Sequence, residues 1–156
     1  FNEKAMNESF FMFNMSPQLR QFNNGVWREL EDNVRDWAYQ SDSLYVISGP
    51  IFSKPIKQIG QRNKITVPSA FYKVILDNKT PARKAIGFII PHELSEQRLE
   101  TYMVPVSQVE TITGIKFFTQ MPDSKQIELL KTNIQPQLWQ VNEKRYNLRV
   151  SKWNYE

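Results

Sequence analysis

The sequence predicts an α+β fold, a central and mostly antiparallel sheet with one amphipathic helix packed on its face and smaller helices at the periphery. Three observations carry that expectation. Trp27, Leu30, Val34 and Trp37 recur at three- and four-residue spacing, the stripe of a helix that faces a core. The segments "AFYKVILD" (70–77) and "KAIGFIIP" (84–91) are rich in β-branched and aromatic residues, and the turn residues of "NKTPAR" between them make a hairpin. "SLYVISGPIF" (43–52) reads as a buried strand ended by Gly49-Pro50, giving a strand, helix, strand order around one core.

Along the chain, residues 4–8 read as a short polar turn or helix, and "FFMFNMS" alternates Phe11 and Phe13 with Met12 and Asn14 as a half-buried strand does. Ser16-Pro17 closes that strand with a helix-start or turn signal. The amphipathic helix follows over about Asn24 to Tyr39. Residues 53–64, "SKPIKQIGQRNK", form a basic linker or loop with Lys54, Lys57, Arg62 and Lys64, and "ITVP" leads out of it. "SQVE" (107–110) has the form of a capping box for a short helix that Gly114 ends, and "DSKQIELLK" (123–131) reads as another capped helix. The C-terminal "LWQVNEKRYNLRVSKWNYE" is aromatic and basic without a clean period. Internal repeats, low-complexity tracts and a second domain boundary are not evident, so 1–156 reads as one domain.

At 156 residues with 40% hydrophobic and 13% aromatic content, the chain can bury a real core. A formal charge of +4 leans weakly toward a polyanionic partner. The absence of cysteine excludes a disulfide framework, a zinc knuckle and a thiol nucleophile. Nothing reaches the roughly 18 apolar residues of a membrane span, so no membrane partner is expected.

Asn23 stands at the top of the apolar stripe. At about 100° per residue it points close to the direction of Leu30 and Val34, where an apolar side chain is the ordinary choice. Glu31 lies two turns further on, and Arg35 follows it at i, i+4. Two readings stay open on spacing alone. One is an asparagine cap followed by a surface ion pair. The other is a metal or phosphate site on a rigid helix, where an amide and a carboxylate suit magnesium and an arginine fork suits phosphate. His92, the single histidine, sits at a turn with no nearby acid placed to orient it. No Ser-His-Asp order, nucleophile elbow, phosphate-binding glycine loop or HExxH motif is present.

The segments "AMNESFFMFNMSPQ" (5–18), "FNNGVWRELEDNVR" (22–35), "LYVISGPIF" (44–52), "ITVPSAFYKVILD" (65–77), "GFIIPHE" (87–93) and "VPVSQVETITGIKFF" (104–118) together resemble the DNA/RNA non-specific endonucleases of the ββα-metal (His-metal finger) superfamily, which includes endonuclease G. The resemblance implies that Asn23, in "FNNGVW", is the single protein ligand of a catalytic magnesium, with manganese a substitute. It implies catalytic roles for Glu31, which orients metal-bound water, for Arg35 near the scissile phosphate, and for Asn14 in "FNMSPQ". Gln18 and Arg28 then belong to the substrate side, with Lys54, Lys57 and Arg62 as phosphate contacts unless they are simply a solvated loop. The family's Asp-Arg-Gly-His motif, which supplies the histidine that activates the attacking water, is absent from this chain and normally lies shortly before its first position. His92 is not its replacement, because the corresponding turn of the family is not catalytic.

DNA and RNA are the partners so implied. Trp139, Tyr146 and Trp153 could stack on bases, although core packing or a homodimer contact is the more ordinary use. Bacterial members of the family are commonly exported, which implies a secreted or periplasmic location. The competing expectation is a non-catalytic nucleic-acid-binding module on a nuclease-like scaffold.

Overall fold

The computed structural model describes residues 2–3, 16–41, 43–54, 57–79 and 82–156. Asn14 and the expected strand around it lie outside these residues, as does the turn or helix expected at 4–8. Among the described residues the main sheet has four antiparallel strands in the order β1-β4-β5-β6. These are β1 (Tyr45–Ile51), β4 (Ala70–Asp77), β5 (Lys84–Pro91) and β6 (Met103–Val104). β4 and β5 have the bounds read from sequence, and their register runs from Ala70 opposite Pro91 to Asp77 opposite Lys84.

Alternation on β4 divides the core between the two faces of the sheet. Phe71 and Ile75 join Ile86, Phe88 and Ile90 of β5 beneath Phe22, Val26, Trp27, Leu30 and Trp37 of the long helical element. Tyr72, Val74 and Leu76 face the opposite way, against Val106, Val109, Phe117 and Ile127 of the smaller helices. Trp37 also meets Trp139 edge to face at 5.2 Å and donates its indole N–H to Gln140 O at 2.8 Å. Trp139 is thereby core, and so is the buried Trp153; neither offers a face to a base.

Several local expectations change. Among the described strands β1 lies at the edge and pairs with β4, and Tyr45, Val46 and Ile47 are exposed, so the strand is not buried as expected. The basic segment 53–64 is not a plain loop, because β2 (Lys57–Ile59) pairs with β3 (Ile65–Val67) to make a short hairpin. Ser16 caps nothing: the helix opens at Arg20, after Leu19 in extended conformation.

Helix α2 (Val106–Thr113) ends at Gly114 as expected, in the left-handed region at φ 71°, which favours glycine. The "SQVE" box at its start does not form. Glu110 turns into the core, where it accepts hydrogen bonds from Lys131 at 2.9 Å, Lys116 at 3.1 Å and the Phe117 N–H at 2.9 Å. Burial alone would raise its pKa, but these donors hold the carboxyl below the usual value. Helix α3 (Ser124–Thr132) likewise lacks a side-chain cap from Asp123, whose carboxylate accepts instead from Arg83 at 2.6 Å. Helix α4 (Glu143–Ser151), which the sequence did not announce, is capped by Asn142 accepting from the Lys144 N–H.

Candidate functional site

The helical element that carries Asn23 is built in three parts. A turn at Arg20–Phe22 leads into a π-helical segment, Asn23–Trp27, and then into α1 (Arg28–Ser41). Gly25 departs from helical geometry at φ −92° and ψ −113°. It sits where the C-terminal segment comes closest: a Cβ there would lie 2.5 Å from Asn154 Oδ1. The extra residue of the π turn changes the phase of everything before it. Phe22 and Val26 therefore occupy the core positions at the start of the stripe, and Asn23 is exposed, not directed inward as uniform helical spacing predicts.

Asn23 is also no N-cap. It lies inside the helical element, and its N–H donates to Leu19 O at 2.9 Å. Its side-chain amide makes no hydrogen bond to the described residues.

Two turns on, Glu31 is half-exposed and pairs with Lys73 of β4, Nζ to Oε1 at 3.7 Å. Lys73 itself is buried, with Nζ 4.4 Å from the centre of the Trp27 ring. Burial holds its pKa below the usual lysine range, and Glu31 opposes that shift. The i, i+4 ion pair expected between Glu31 and Arg35 is not formed. Arg35 is exposed and pairs with Asp32 one turn back.

Gln18 shares a shallow pocket with Trp27 and with Ser48, Gly49 and Pro50 of β1. Arg28 turns toward the C-terminal segment, its guanidinium 4.1 Å from the centre of the Trp153 ring and 3.7 Å from Glu156. Lys54, Lys57 and Arg62 are exposed on and beside the β2-β3 hairpin.

His92 is fixed on both nitrogens. Nδ1 lies 3.0 Å from Pro68 O, and Nε2 accepts from the Leu19 N–H at 2.7 Å. The ring stands edge-on to Phe22 and Phe71 at 5.1 and 5.2 Å. Its work is to tie the start of the helix to the end of the sheet.

Among the described residues, no three His, Cys, Asp or Glu side chains converge as a metal cage would require. The oxygen donors at hand, one exposed amide and a nearby carboxylate, instead fit a hard cation that keeps most of its waters, as magnesium does. No helix among them is long and apolar enough to cross a membrane.

Two features here went unread in the sequence. Lys73 was legible as a lysine at an inward position between Phe71 and Ile75. The other is the buried pair of Glu29 and Arg149, which fastens α4 to α1. Arg149 also donates to Ser95 O and, at 2.6 Å, to Gln97 O. Burial raises the pKa of Glu29, with Arg149 opposing. Nothing in the sequence pairs residues so far apart.

Known proteins place this architecture. A sequence model described as DNA/RNA non-specific endonuclease matches residues 1–124. The chain is 30% identical over 151 residues to a mitochondrial nuclease of Saccharomyces cerevisiae, covering 84% of this chain and 46% of that protein. It is 30% identical over 139 residues to the mitochondrial endonuclease G of Caenorhabditis elegans, covering 81% and 45%. It also superposes on a crystal structure of an EndoG/EndoGI complex with a TM-score of 0.65 and 26% identity, over 78% of this chain and 55% of that one. The chain thus spans about half the length of the curated relatives it matches. The expected secreted or periplasmic location is contradicted by these relatives, both of which are named mitochondrial. On the family match, the shared identity and the common α+β architecture, the chain belongs to the DNA/RNA non-specific endonuclease family.

Proposed function

We propose that this chain carries the metal-binding helix of a magnesium-dependent, sugar-non-specific endonuclease that hydrolyses phosphodiester bonds of DNA and RNA to leave 5′-phosphate ends. The observation that supports this most is the exposed Asn23 amide, unpartnered among the described residues and set on a π turn two helical turns before the half-exposed Glu31. Asn23 Oδ1 is the protein ligand of the cation, for which manganese can substitute. A magnesium ion held there would supply Lewis-acid stabilisation of the charge that develops on the phosphate. Glu31 accepts a hydrogen bond from water at the site and orients it. Arg35, released from Asp32, offers its fork to the phosphate and offsets charge developing in the transition state.

His92 is engaged on both nitrogens and does not serve as the base; the family resemblance assigns the proton of the attacking water to the histidine of the Asp-Arg-Gly-His motif. Lys54, Lys57 and Arg62 contact backbone phosphates, which carry no sequence information. That is the chemistry of a non-specific enzyme.

The test is cleavage of plasmid DNA and of RNA with magnesium by the full-length encoded protein and by its Asn23→Ala variant. The proposal expects cleavage that falls by roughly 100-fold or more in the variant, the several kcal/mol of charge stabilisation a metal provides. Salt-sensitive nucleic-acid binding without cleavage by the folded full-length protein would refute it and leave a binding module.

A further inference from the structure

Lys73 lies on the helix-facing side of β4, between Phe71 and Ile75, with Ser48 and Phe88 as its neighbours on the flanking strands. Its side chain is 7% exposed. An apolar residue would fill this place in a central strand without the penalty of desolvating an ammonium, so the lysine calls for a reason. It is too enclosed to meet a polyanion itself. Its Nζ lies over the Trp27 ring at 4.4 Å and 3.7 Å from Glu31 Oε1. Trp27 and Glu31 are one helical turn apart, so the ammonium spans them from the sheet side. The carboxylate remains half-exposed on the outer side.

We propose that Lys73 is a positioning residue that fixes the Glu31 carboxylate from beneath, so that its solvent side is presented to the water of the metal site. The inference rests on the role given to Glu31 above. Trp27 packs against one side of the ammonium, and Glu31 is its anionic partner. Arg35, one turn beyond Glu31, is drawn off by Asp32 and does not compete for the carboxylate.

The experiment uses the full-length protein with Lys73→Met, which keeps the stem and removes the charge, and Lys73→Arg, which restores a cation. Thermal unfolding, kcat and KM on plasmid DNA with magnesium are measured for each, beside Glu31→Gln. Independently, the Lys73 side-chain NMR signals are titrated in the wild type and in Glu31→Gln. The expected result is a folded Lys73→Met protein with kcat lowered about 10- to 100-fold and KM little changed. Lys73→Arg should recover most of the rate, and the Lys73 titration should move to lower pH in Glu31→Gln.

Wild-type kcat in Lys73→Met, or a Lys73 titration indifferent to Glu31→Gln, overturns the inference. Should Lys73→Met fail to fold, the arginine variant and the titration decide. If the wild type cleaves and Glu31→Gln does not, a fully active Lys73→Met defeats this inference alone. If the folded wild type does not cleave, the proposed function falls and the catalytic purpose of Lys73 with it.

Discussion

Arg149→Met should be among the most damaging single changes in this protein, and its damage should depend on pH. Arg149 and Glu29 are both fully buried, and the guanidinium donates to Glu29 Oε2, Ser95 O and Gln97 O. Methionine keeps the stem and leaves the carboxylate alone in the core. Removing one partner of a buried pair costs about 3–5 kcal/mol, and the lost bond to Gln97 O adds about 1 kcal/mol. Little can compensate: Glu29 Oε1 already lacks a hydrogen-bond partner, whereas Ser95 O retains Asn154 Nδ2 at 3.0 Å.

The escape is protonation. Burial already holds the folded-state pKa of Glu29 above its usual 4.5, and loss of Arg149 raises it further. Between 4.5 and that raised value the folded state binds more protons than the unfolded one. Stability therefore falls as pH rises through this window and returns as pH drops toward 4.5. In urea unfolding, Arg149→Met should lose about 4–6 kcal/mol at about pH 8 and clearly less at about pH 5, with a melting point at the higher pH lower by roughly 8 to 24 °C. A deficit under about 1 kcal/mol, or the same deficit at both pH values, would refute the reasoning.

Two further outcomes follow from the geometry of the helix start. Gly25→Ala places a methyl group 2.5 Å from Asn154 Oδ1 and should lose about 1–3 kcal/mol by overpacking, measured by urea unfolding; adding Asn154→Ala should restore part of it, and strict additivity would deny the contact. His92→Gln should lower stability by about 1–2 kcal/mol through its two hydrogen bonds while the full-length protein still cleaves; unchanged stability with lost cleavage would return His92 to the active site.

What the sequence disclosed depended on whether the cause was local. The β4-β5 hairpin was legible to the residue, because alternation, β-branched side chains and turn residues all act over neighbouring positions. Helix α1 was legible by its stripe, but the π turn before it was not, and Asn154, against which Gly25 packs, lies far along the chain. The same reason hid the fates of the capping signals. Glu110 was taken by Lys131 and Asp123 by Arg83, contacts that no local spacing reveals. The exposure of β1 goes with its place at the edge of the described strands, a property of strand order. At the candidate site, the residue types Asn23, Glu31 and Arg35 stood out by family resemblance, whereas their actual partners, Lys73 and Asp32, required the fold.

The clasp between Glu29 and Arg149 joins residues 120 positions apart, and this bears on when the molecule is finished during its synthesis. Contacts of such long range close late, because the chain between them must first be ordered. A nascent chain emerging from the ribosome can hold the β4-β5 hairpin and the first turns of α1 long before Arg149 and Asn154 exist. Until Arg149 and Asn154 are made, Glu29 lacks the guanidinium that faces it and Gly25 lacks its contact with Asn154. Translation itself thereby orders these events: the hairpin comes first, and the turn that carries Asn23 gains its contact with Asn154 only once that later segment has been made.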